Sequence, residues 1–338
     1  MLSKIELVNL DCIVSDGYHN AFTDLYHNEK DGYLYCAYRK SYSHNIVPHG
    51  KIEIVRSKID RKDGENFELY HTIASGGDDR DPKFFETDHY KFGVYFGTYI
   101  PRWSSPQVSP LQKYDLITHV SLKSTQGNAW TNIYQWYRIG YWIWSVLKIK
   151  DYYASSSYHF GDGNIEEAHS LNLLYSKDAL SWEYDKLIFQ EGIYPISEPA
   201  LLYHNNELYV LARIENKRTI LLKIDSAGLI SRHYLHDEIH SPCVKIINGE
   251  IFISGRLYEN KKSSVCLWRL HIDEKDKPLE LITHFLSRGD CGYPGMVYHN
   301  DMLYISYYSQ PQIIYDLEKR SNIPVESNIY LAKLRVKQ

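Results

Sequence analysis

The sequence predicts an all-β protein, a six-bladed β-propeller. Three observations support this fold class: short strands rich in tyrosine and β-branched residues, turn residues between them, and a loose internal repeat. Tyrosine occurs 31 times in 338 residues. Its ring favours half-buried strand positions, while its hydroxyl reaches solvent or a ligand. No long stretch shows the apolar period of an amphipathic helix.

The strands are recognised as apolar segments that follow a turn. Asp31-Gly32, Asn205-Asn206 and Asn248-Gly249 are turn pairs of this kind. Short strands at regular spacing are typical of a sandwich, a barrel or a propeller. The clearest predicted strands cover residues 32–38, 51–55, 90–96, 207–212, 250–254 and 302–307.

A repeated unit selects the propeller among these folds. Each copy is a strand that begins with small or polar residues, a polar hairpin turn, and a second strand that ends in Arg or Tyr. Six copies give blades of about 45 to 60 residues, close to known propeller repeats. We expect residues 5–10 to complete the last blade, and residues 1–338 to form one domain. The copies cover residues 21–39, 82–99, 136–156, 199–213, 242–256 and 294–308.

Composition excludes several classes of function. The net charge of −4 argues against a basic surface that would bind nucleic acid. There is no apolar run of about 18 residues, the length that spans a membrane, and no signal peptide at the N-terminus. Five widely spaced cysteines without a Cys-x-x-Cys pair favour a reduced compartment. We expect a cytoplasmic protein, or one exported without a recognisable signal. We expect no cofactor, because neither a metal-ligand spacing nor a phosphate-binding glycine loop occurs.

Charged and aromatic residues recur at matching points of the repeat. Glu198 opens one blade and Arg213 ends its second strand. Arg256 ends the second strand of the next blade, and Tyr293 opens the last one. This order resembles the sialidase (neuraminidase) superfamily, and the chain is also similar to sialidase-like glycoside hydrolases of bacteria.

A second segment supports the resemblance. Ser176, Asp178 and Trp182 have the spacing of an Asp-box, a hairpin turn in which the Asp binds backbone amides. Ala179 stands where the family favours Gly, so the box is degenerate. Such boxes indicate the fold and not catalysis.

The resemblance implies that Tyr293 is the nucleophile and Glu198 the base that accepts its proton. A sialoside carries a carboxylate on its anomeric carbon, so a neutral phenol avoids the repulsion that a carboxylate nucleophile would meet. Phenol, with a pKa of about 10, needs a neighbouring base to react. Arg213 and Arg256 are then expected to bind the substrate carboxylate with paired N–H donors.

The sequence departs from the family at its first Arg and its acid/base Asp. His19 stands near the place of that Arg, and Tyr308 near that of the Glu that orients it. The loop expected to carry the acid offers His44, whose ordinary pKa of about 6.5 suits a general acid. The candidates for the missing groups are Arg39 and Arg80 as carboxylate ligands, Asp81 as an acid or a partner of Arg80, and Asp290 as an acid or a ligand of sugar hydroxyls.

These residues together predict a retaining exo-glycosidase that releases a terminal acidic sugar. Sialic acid or a related nonulosonic acid is the leading substrate, and a uronic acid follows. Two alternatives stay open. One is a glycosidase of the same fold that uses two carboxylates, Glu198 with Asp81 or Asp290. The other is a propeller that binds glycans without cleaving them, since one fold hosts many functions.

Overall fold

A computed structural model of the chain contains strands and, among the residues it describes, no α-helix. Six four-stranded antiparallel sheets form the blades of a β-propeller. The predicted fold class is confirmed. Within the described part of the chain, no helix is long and apolar enough to cross a membrane. The described residues are 2–46, 49–59, 66–101, 114–159, 170–190, 194–259, 262–274, 276–310, 313–316, 321–324 and 326–337.

Each predicted strand segment overlaps a strand, but residues 32, 90 and 91 lie before the strands in which they were placed. Each strand continues beyond the predicted C-terminal end. Backbone pairing therefore reaches further than the apolar pattern. The strands are β1 (Lys4–Val14), β2 (His19–Asn28), β3 (Tyr33–Ser41), β4 (Lys51–Lys58), β5 (Glu68–Ile73), β6 (Asp78–Phe85), β7 (Phe92–Pro101), β8 (Tyr114–Lys123), β9 (Tyr134–Gln135), β10 (Tyr141–Ile149), β11 (Tyr152–His159), β12 (Ser170–Ser176), β13 (Tyr184–Gln190), β14 (Ile196–His204), β15 (Glu207–Ile214), β16 (Ile220–Ile224), β17 (Ile230–Tyr234), β18 (His240–Ile247), β19 (Glu250–Glu259), β20 (Lys262–Leu270), β21 (Leu279–Leu286), β22 (Cys291–His299), β23 (Met302–Ser309), β24 (Ile313–Asp316), β25 (Ser321–Pro324) and β26 (Asn328–Lys337).

Each blade is a sheet of four strands, and the predicted repeat corresponds to its first hairpin. The short pair β24-β25 lies between β23 and β26 along the chain. The blades are I (β2-β3-β4-β5), II (β6-β7-β8-β9), III (β10-β11-β12-β13), IV (β14-β15-β16-β17), V (β18-β19-β20-β21) and VI (β22-β23-β26-β1).

The blades divide into two compact units. The first unit, Met1–Thr72 with Cys243–Gln338, contains blade VI and nearly all of blades I and V. The second unit, Ile73–Pro242, contains blades II, III and IV. The single domain expected over residues 1–338 stays a prediction.

The N-terminal strand completes blade VI. β1 pairs antiparallel with β26, from Lys4 opposite Lys337 to Val14 opposite Ile329. This pairing confirms the prediction for residues 5–10. It joins the two ends of the chain and covers a strand edge that would otherwise be exposed.

The core of the first unit lies on both faces of β23. Leu303, Ile305 and Tyr307 pack with residues of blade V, whereas Tyr304 and Tyr308 pack with residues of blade I. Successive side chains of a strand point to opposite faces, so a strand that is buried on both faces has a nearly continuous apolar sequence. Because of this alternation, the side chain of Tyr308 points towards blade I.

The segment that resembles an Asp-box forms the turn between β12 and β13. Asp178 Oδ1 accepts the backbone N–H groups of Leu180 at 2.8 Å and Ser181 at 2.9 Å. Ala179 is left-handed, with a φ of 58°, which is a conformation that favours Gly. Trp182 packs against the core beneath the turn. The turn therefore stabilises the hairpin of blade III.

Candidate active site

One backbone feature recurs at the start of the blades. The first strand of five blades carries a non-glycine residue in the left-handed region, with φ between 47° and 59°. At four of these residues the register with the second strand shifts, which marks a β-bulge. Four of them precede a proline. The residues are Phe22, Asp81, Glu198, Ser241 and Tyr293.

These bulges orient three of the predicted site residues: Asp81, Glu198 and Tyr293. A residue before Pro prefers extended backbone, and a strained left-handed residue costs about 1–3 kcal/mol. A bulge re-aims the side chain that it carries, and bulges are common beside active sites. The shared strain therefore marks these three positions as candidates for function.

The Tyr293 bulge is held by contacts with β2. The Thr23 hydroxyl donates to the Tyr293 carbonyl at 2.7 Å and lies 2.9 Å from the Ser306 hydroxyl. Gly295 approaches β2 so closely that a Cβ at this position would clash with the backbone nitrogen of Leu25. Glycine thus allows the two strands to meet, and their contact fixes the backbone at Tyr293.

Asp290, in the turn before β22, is the centre of an ion cluster in the first unit. Its Oδ1 accepts a hydrogen bond from Arg256 Nη1 at 2.6 Å, and its Oδ2 accepts one from the Tyr308 hydroxyl at 2.7 Å. His44 Nδ1 lies 3.0 Å from the same Oδ2. The Asp290 N–H donates to Gln310 Oε1 at 2.7 Å, which fixes the turn. We call Asp290 with Arg256, His44 and Tyr308 the Asp290 cluster.

The cluster determines the protonation of its members. Burial alone would raise the pKa of Asp290, but the hydrogen bond from His44 and the charge of Arg256 outweigh it and hold the pKa well below its usual value. Burial, followed by the charge of Asp290, raises the pKa of Tyr308 well above its usual value. Asp290 therefore stays ionised at neutral pH. An ionised carboxylate does not fit the role of general acid that the sequence offered for Asp290.

Aromatic rings of the first unit surround Phe22. Its ring centroid lies 4.6 Å from that of Tyr293, 5.6 Å from that of His44 and 5.7 Å from that of Tyr308. His19 meets His44 edge to face at 5.3 Å. Phe22 is buried, whereas His44 and Tyr293 are only partly buried. Four residues predicted for the site are thus brought together in this unit.

His19, His44 and Asp290 bring ligand-type atoms within 4.8 Å of one another. A zinc ion would need them about 2.0–2.2 Å from its centre. The Asp290 carboxylate already binds Arg256 and Tyr308, and the Arg256 charge would repel a cation at these oxygens. The donor set fits an ion cluster better than a metal centre.

Two arginines considered as substitutes for the first Arg of the family are held inside the protein. Arg39 is 0% exposed and donates to the carbonyls of Ser43 at 2.7 Å and Asn45 at 3.3 Å. These bonds support the loop that carries His44. Arg80 Nε donates to Asp78 at 2.8 Å. The burial of Arg39 argues against the predicted contact with a substrate carboxylate.

In the second unit, Glu198 and Arg213 face each other. Glu198 is buried, and its Oε2 accepts the backbone N–H of Ser241 at 2.5 Å. Arg213 Nη1 lies 3.7 Å from Glu198 Oε1, and its Nη2 donates to Glu215. The pairing of Ser197 with Arg213 across the first hairpin of blade IV brings the two side chains together. Buried carboxylates need partners of this kind.

Tyr158, in β11, lies near the same charges and was missed by the sequence analysis. Burial, then the charges of Asp81 and Glu198, raises the pKa of Tyr158 well above its usual value. Burial also raises the pKa of Tyr99 to about 12. The Asp81 and Glu198 carboxylates therefore both act on the buried phenol of Tyr158. Tyr158 is one of 31 tyrosines and belongs to no motif, so no pattern singled it out.

Asp79, beside Arg80 in the sequence, gives a prediction for stability. Burial raises the pKa of Asp79 to about 6, although Ser75 and Thr98 donate hydrogen bonds to its carboxylate. The ordinary pKa is about 3.9, so the unfolded chain loses this proton at lower pH than the folded chain. The free energy of unfolding should therefore fall by about 2 kcal/mol through this group as the pH rises from about 4 to about 7.

Denaturant unfolding across this range measures the effect. The slope with pH should be flatter in Asp79→Asn than in the wild type. Asp88→Asn is the control, because Asp88 is exposed and pairs with Lys148. Equal slopes in the wild type and Asp79→Asn would contradict the prediction.

The chain matches no protein-family profile and no curated protein sequence. Solved structures do share its fold. A protein of unknown function from Dyadobacter fermentans superposes with a TM-score of 0.79 at 14% identity, over 98% of this chain and 99% of that one.

Two glycosidases are also similar in fold. Trypanosoma rangeli sialidase, in complex with the inhibitor DANA, has a TM-score of 0.65 at 12% identity, over 94% of this chain and 55% of its own. A variant of an α-L-arabinofuranosidase from Fusarium graminearum, in complex with an iminosugar inhibitor, has a TM-score of 0.65 at 12% identity, over 99% of this chain and 98% of its own. The likeness shows a sialidase-like propeller fold and leaves the reaction open.

Proposed function

We propose that the protein is a glycoside hydrolase that releases a terminal acidic sugar with retention of configuration, with Tyr293 as its nucleophile. The supporting observation is the position of Tyr293. Its backbone forms a left-handed bulge, and its ring packs against Phe22, which His44 also contacts. A phenol nucleophile, a histidine that can transfer a proton and the Asp290 cluster thus belong to one group of side chains. The fold likeness to glycosidases agrees with hydrolysis.

The proposed reaction has two displacements. In the first, the Tyr293 oxygen bonds to the anomeric carbon while the bond to the leaving oxygen breaks. His44 donates a proton to that oxygen, and the phenol proton passes to a carboxylate base, which the sequence predicts to be Glu198. In the second, water attacks the same carbon and gives a proton to His44, the bond to the Tyr293 oxygen breaks, and the base returns the proton to the phenol. Two inversions at one carbon retain its configuration.

Arginines supply the positive charge that an acidic sugar requires. Arg256 is held by Asp290, and Arg213 is held by Glu198 and Glu215, so each guanidinium has a fixed orientation. A pre-oriented guanidinium loses little side-chain entropy when it binds a carboxylate. We propose Arg256 as a ligand of the substrate carboxylate, and Arg213 stays the second ligand that the sequence predicts.

A second candidate reaction uses the carboxylates of Asp81 and Glu198. Both carboxylates stand on left-handed bulges in the second unit, which favours this reaction. Both charges also act on the buried phenol of Tyr158, whose pKa is raised first by burial. Retaining glycosidases of this kind carry their carboxyl groups about 5–5.5 Å apart. In this reaction Tyr293 has only a packing role.

A panel of fluorogenic glycosides tests the proposal. We expect turnover of a nonulosonic or uronic acid glycoside, and at least about 10²-fold less with a neutral sugar, because arginines pair with the carboxylate. Released fluorophore measures the rate, and proton NMR of the first product reports retention. Cleavage of neutral glycosides alone would favour the two-carboxylate reaction. Binding of acidic glycans without cleavage would indicate that the protein binds glycans and does not hydrolyse them.

A further inference from the structure

We propose that Asp290 is the positioning residue of a proton-transfer pair. It orients His44 through Nδ1, so that His44 Nε2 delivers the proton to the leaving oxygen and later takes one from water. This inference rests on the proposed function. It gives the two residues different roles, whereas the sequence offered each of them as an acid.

The contact between the two side chains is that of a histidine held by a carboxylate. His44 Nδ1 lies 3.0 Å from Asp290 Oδ2, within ion-pairing distance. A carboxylate at Nδ1 orients the ring, and proton transfer is then assigned to Nε2. The His44 side chain is 44% exposed and that of Asp290 28%, so the histidine is the member that a substrate reaches more readily.

The carboxylate is itself fixed. Arg256 donates to Oδ1 and Tyr308 to Oδ2, and the backbone N–H of Cys291 also donates to Oδ1 at 3.0 Å. These bonds restrict the orientation of Asp290 and favour its charged form. A carboxylate that is fixed at Nδ1 holds the imidazole in one orientation.

Other titratable groups surround the histidine. His19 meets the His44 ring at 5.3 Å, and Tyr308 shares Oδ2 of the carboxylate with it. Arg256 lies at the other carboxylate oxygen, and Arg39 binds the carbonyls on both sides of His44 in its loop. Of these groups, Asp290 is the one that contacts His44 at Nδ1.

Leaving groups of different acidity test the pair. Asp290→Asn and His44→Gln should each lower kcat/KM for a sugar or alkyl aglycone by about 10²–10³-fold, because such a leaving group requires a proton. A 4-nitrophenyl aglycone departs without one, so its loss should stay below about tenfold. The double variant should lose little more than the worse single variant, since the two residues act as one unit.

The pH profile separates this role from simple support of the fold. Removal of the carboxylate charge should change the pH profile of kcat/KM in Asp290→Asn, with its basic limb moved to lower pH. Glu280→Gln is the matched control, because Glu280 also binds an arginine, Arg269, at 2.5 Å and lies 3.3 Å from His271 Nε2. It should leave the basic limb and the dependence on the leaving group unchanged.

Nitrogen-15 NMR of histidine-labelled protein tests the pair without turnover. The His44 signal, identified by its loss in His44→Gln, should show a proton on Nδ1 in the wild type and a changed tautomer or titration in Asp290→Asn. A neutral His44 with its proton on Nε2 would overturn the proposal, as would equal losses on all aglycones with an unmoved basic limb. If the wild type cleaves no glycoside, the proposed hydrolase activity is disproved. The NMR result still decides whether Asp290 orients His44.

Discussion

Tyr293→Phe is expected to lower kcat by at least about 10³-fold, because it removes the atom that forms the covalent bond in the proposed reaction. Affinity for a non-hydrolysable acidic-sugar analogue should change little, since phenylalanine keeps the ring that packs against Phe22. Steady-state rates on a proven substrate and calorimetric titration with the analogue measure the two quantities. A large loss of kcat with intact affinity is the signature of a lost nucleophile.

Tyr298→Phe is the matched control for this substitution. Tyr298 lies on the same strand, and its hydroxyl donates to Asp301 at 3.0 Å. It should retain the wild-type kcat. A fluorinated acidic-sugar inactivator should label Tyr293, which peptide mass spectrometry detects, and should fail to label Tyr293→Phe. Near-normal turnover of Tyr293→Phe would exclude the phenol mechanism and leave the carboxylates of the second unit as the catalytic groups.

Much of the fold was predictable because its determinants are local. Strands such as β23 are recognised from neighbouring residues, and the turn pair Asn248-Gly249 lies between β18 and β19. The repeat then indicates how often the hairpin recurs. The closure of blade VI by residues 5–10 also followed, because a propeller with an unpaired last blade would expose a strand edge.

The left-handed bulges were not predictable, because local preference points the other way. A residue before Pro favours extended backbone, whereas Glu198 and Tyr293 have φ values of 58° and 50°. At Tyr293 the bond from Thr23 and the close approach of Gly295 to β2 overrule that preference. These contacts are made between strands that are far apart in the sequence. The sequence identified Tyr293 as a candidate but did not indicate that its backbone is strained.

The Asp290 cluster was beyond sequence analysis for a similar reason. Its members come from three blades: His44 from blade I, Arg256 from blade V, and Asp290 and Tyr308 from blade VI. Spacing along the chain contains no information on which of them meet. Each was therefore assigned a role by itself, and the sequence did not indicate that the Asp290 carboxylate binds the other three.

Glu198→Gln is the other substitution with a large expected effect. If Glu198 accepts the phenol proton, its loss should lower kcat by about 10²–10⁴-fold. Glutamine has nearly the same shape and can still accept the N–H of Ser241, so the fold should be retained. Glu215→Gln is the matched variant, because it also removes a carboxylate from Arg213. It should lower kcat far less than Glu198→Gln does.

The double variant Tyr293→Phe with Glu198→Gln decides whether the two residues work in one step. A base has nothing to accept once the phenol is gone, so the double variant should be little slower than the worse single variant. Rates and thermal unfolding midpoints of all four proteins complete the cycle. Additive losses would assign Glu198 to substrate binding through Arg213, which lies 3.7 Å from it. A strongly lowered midpoint in Glu198→Gln would instead assign the buried carboxylate to the framework, because Arg213 would then have lost a partner that the fold requires.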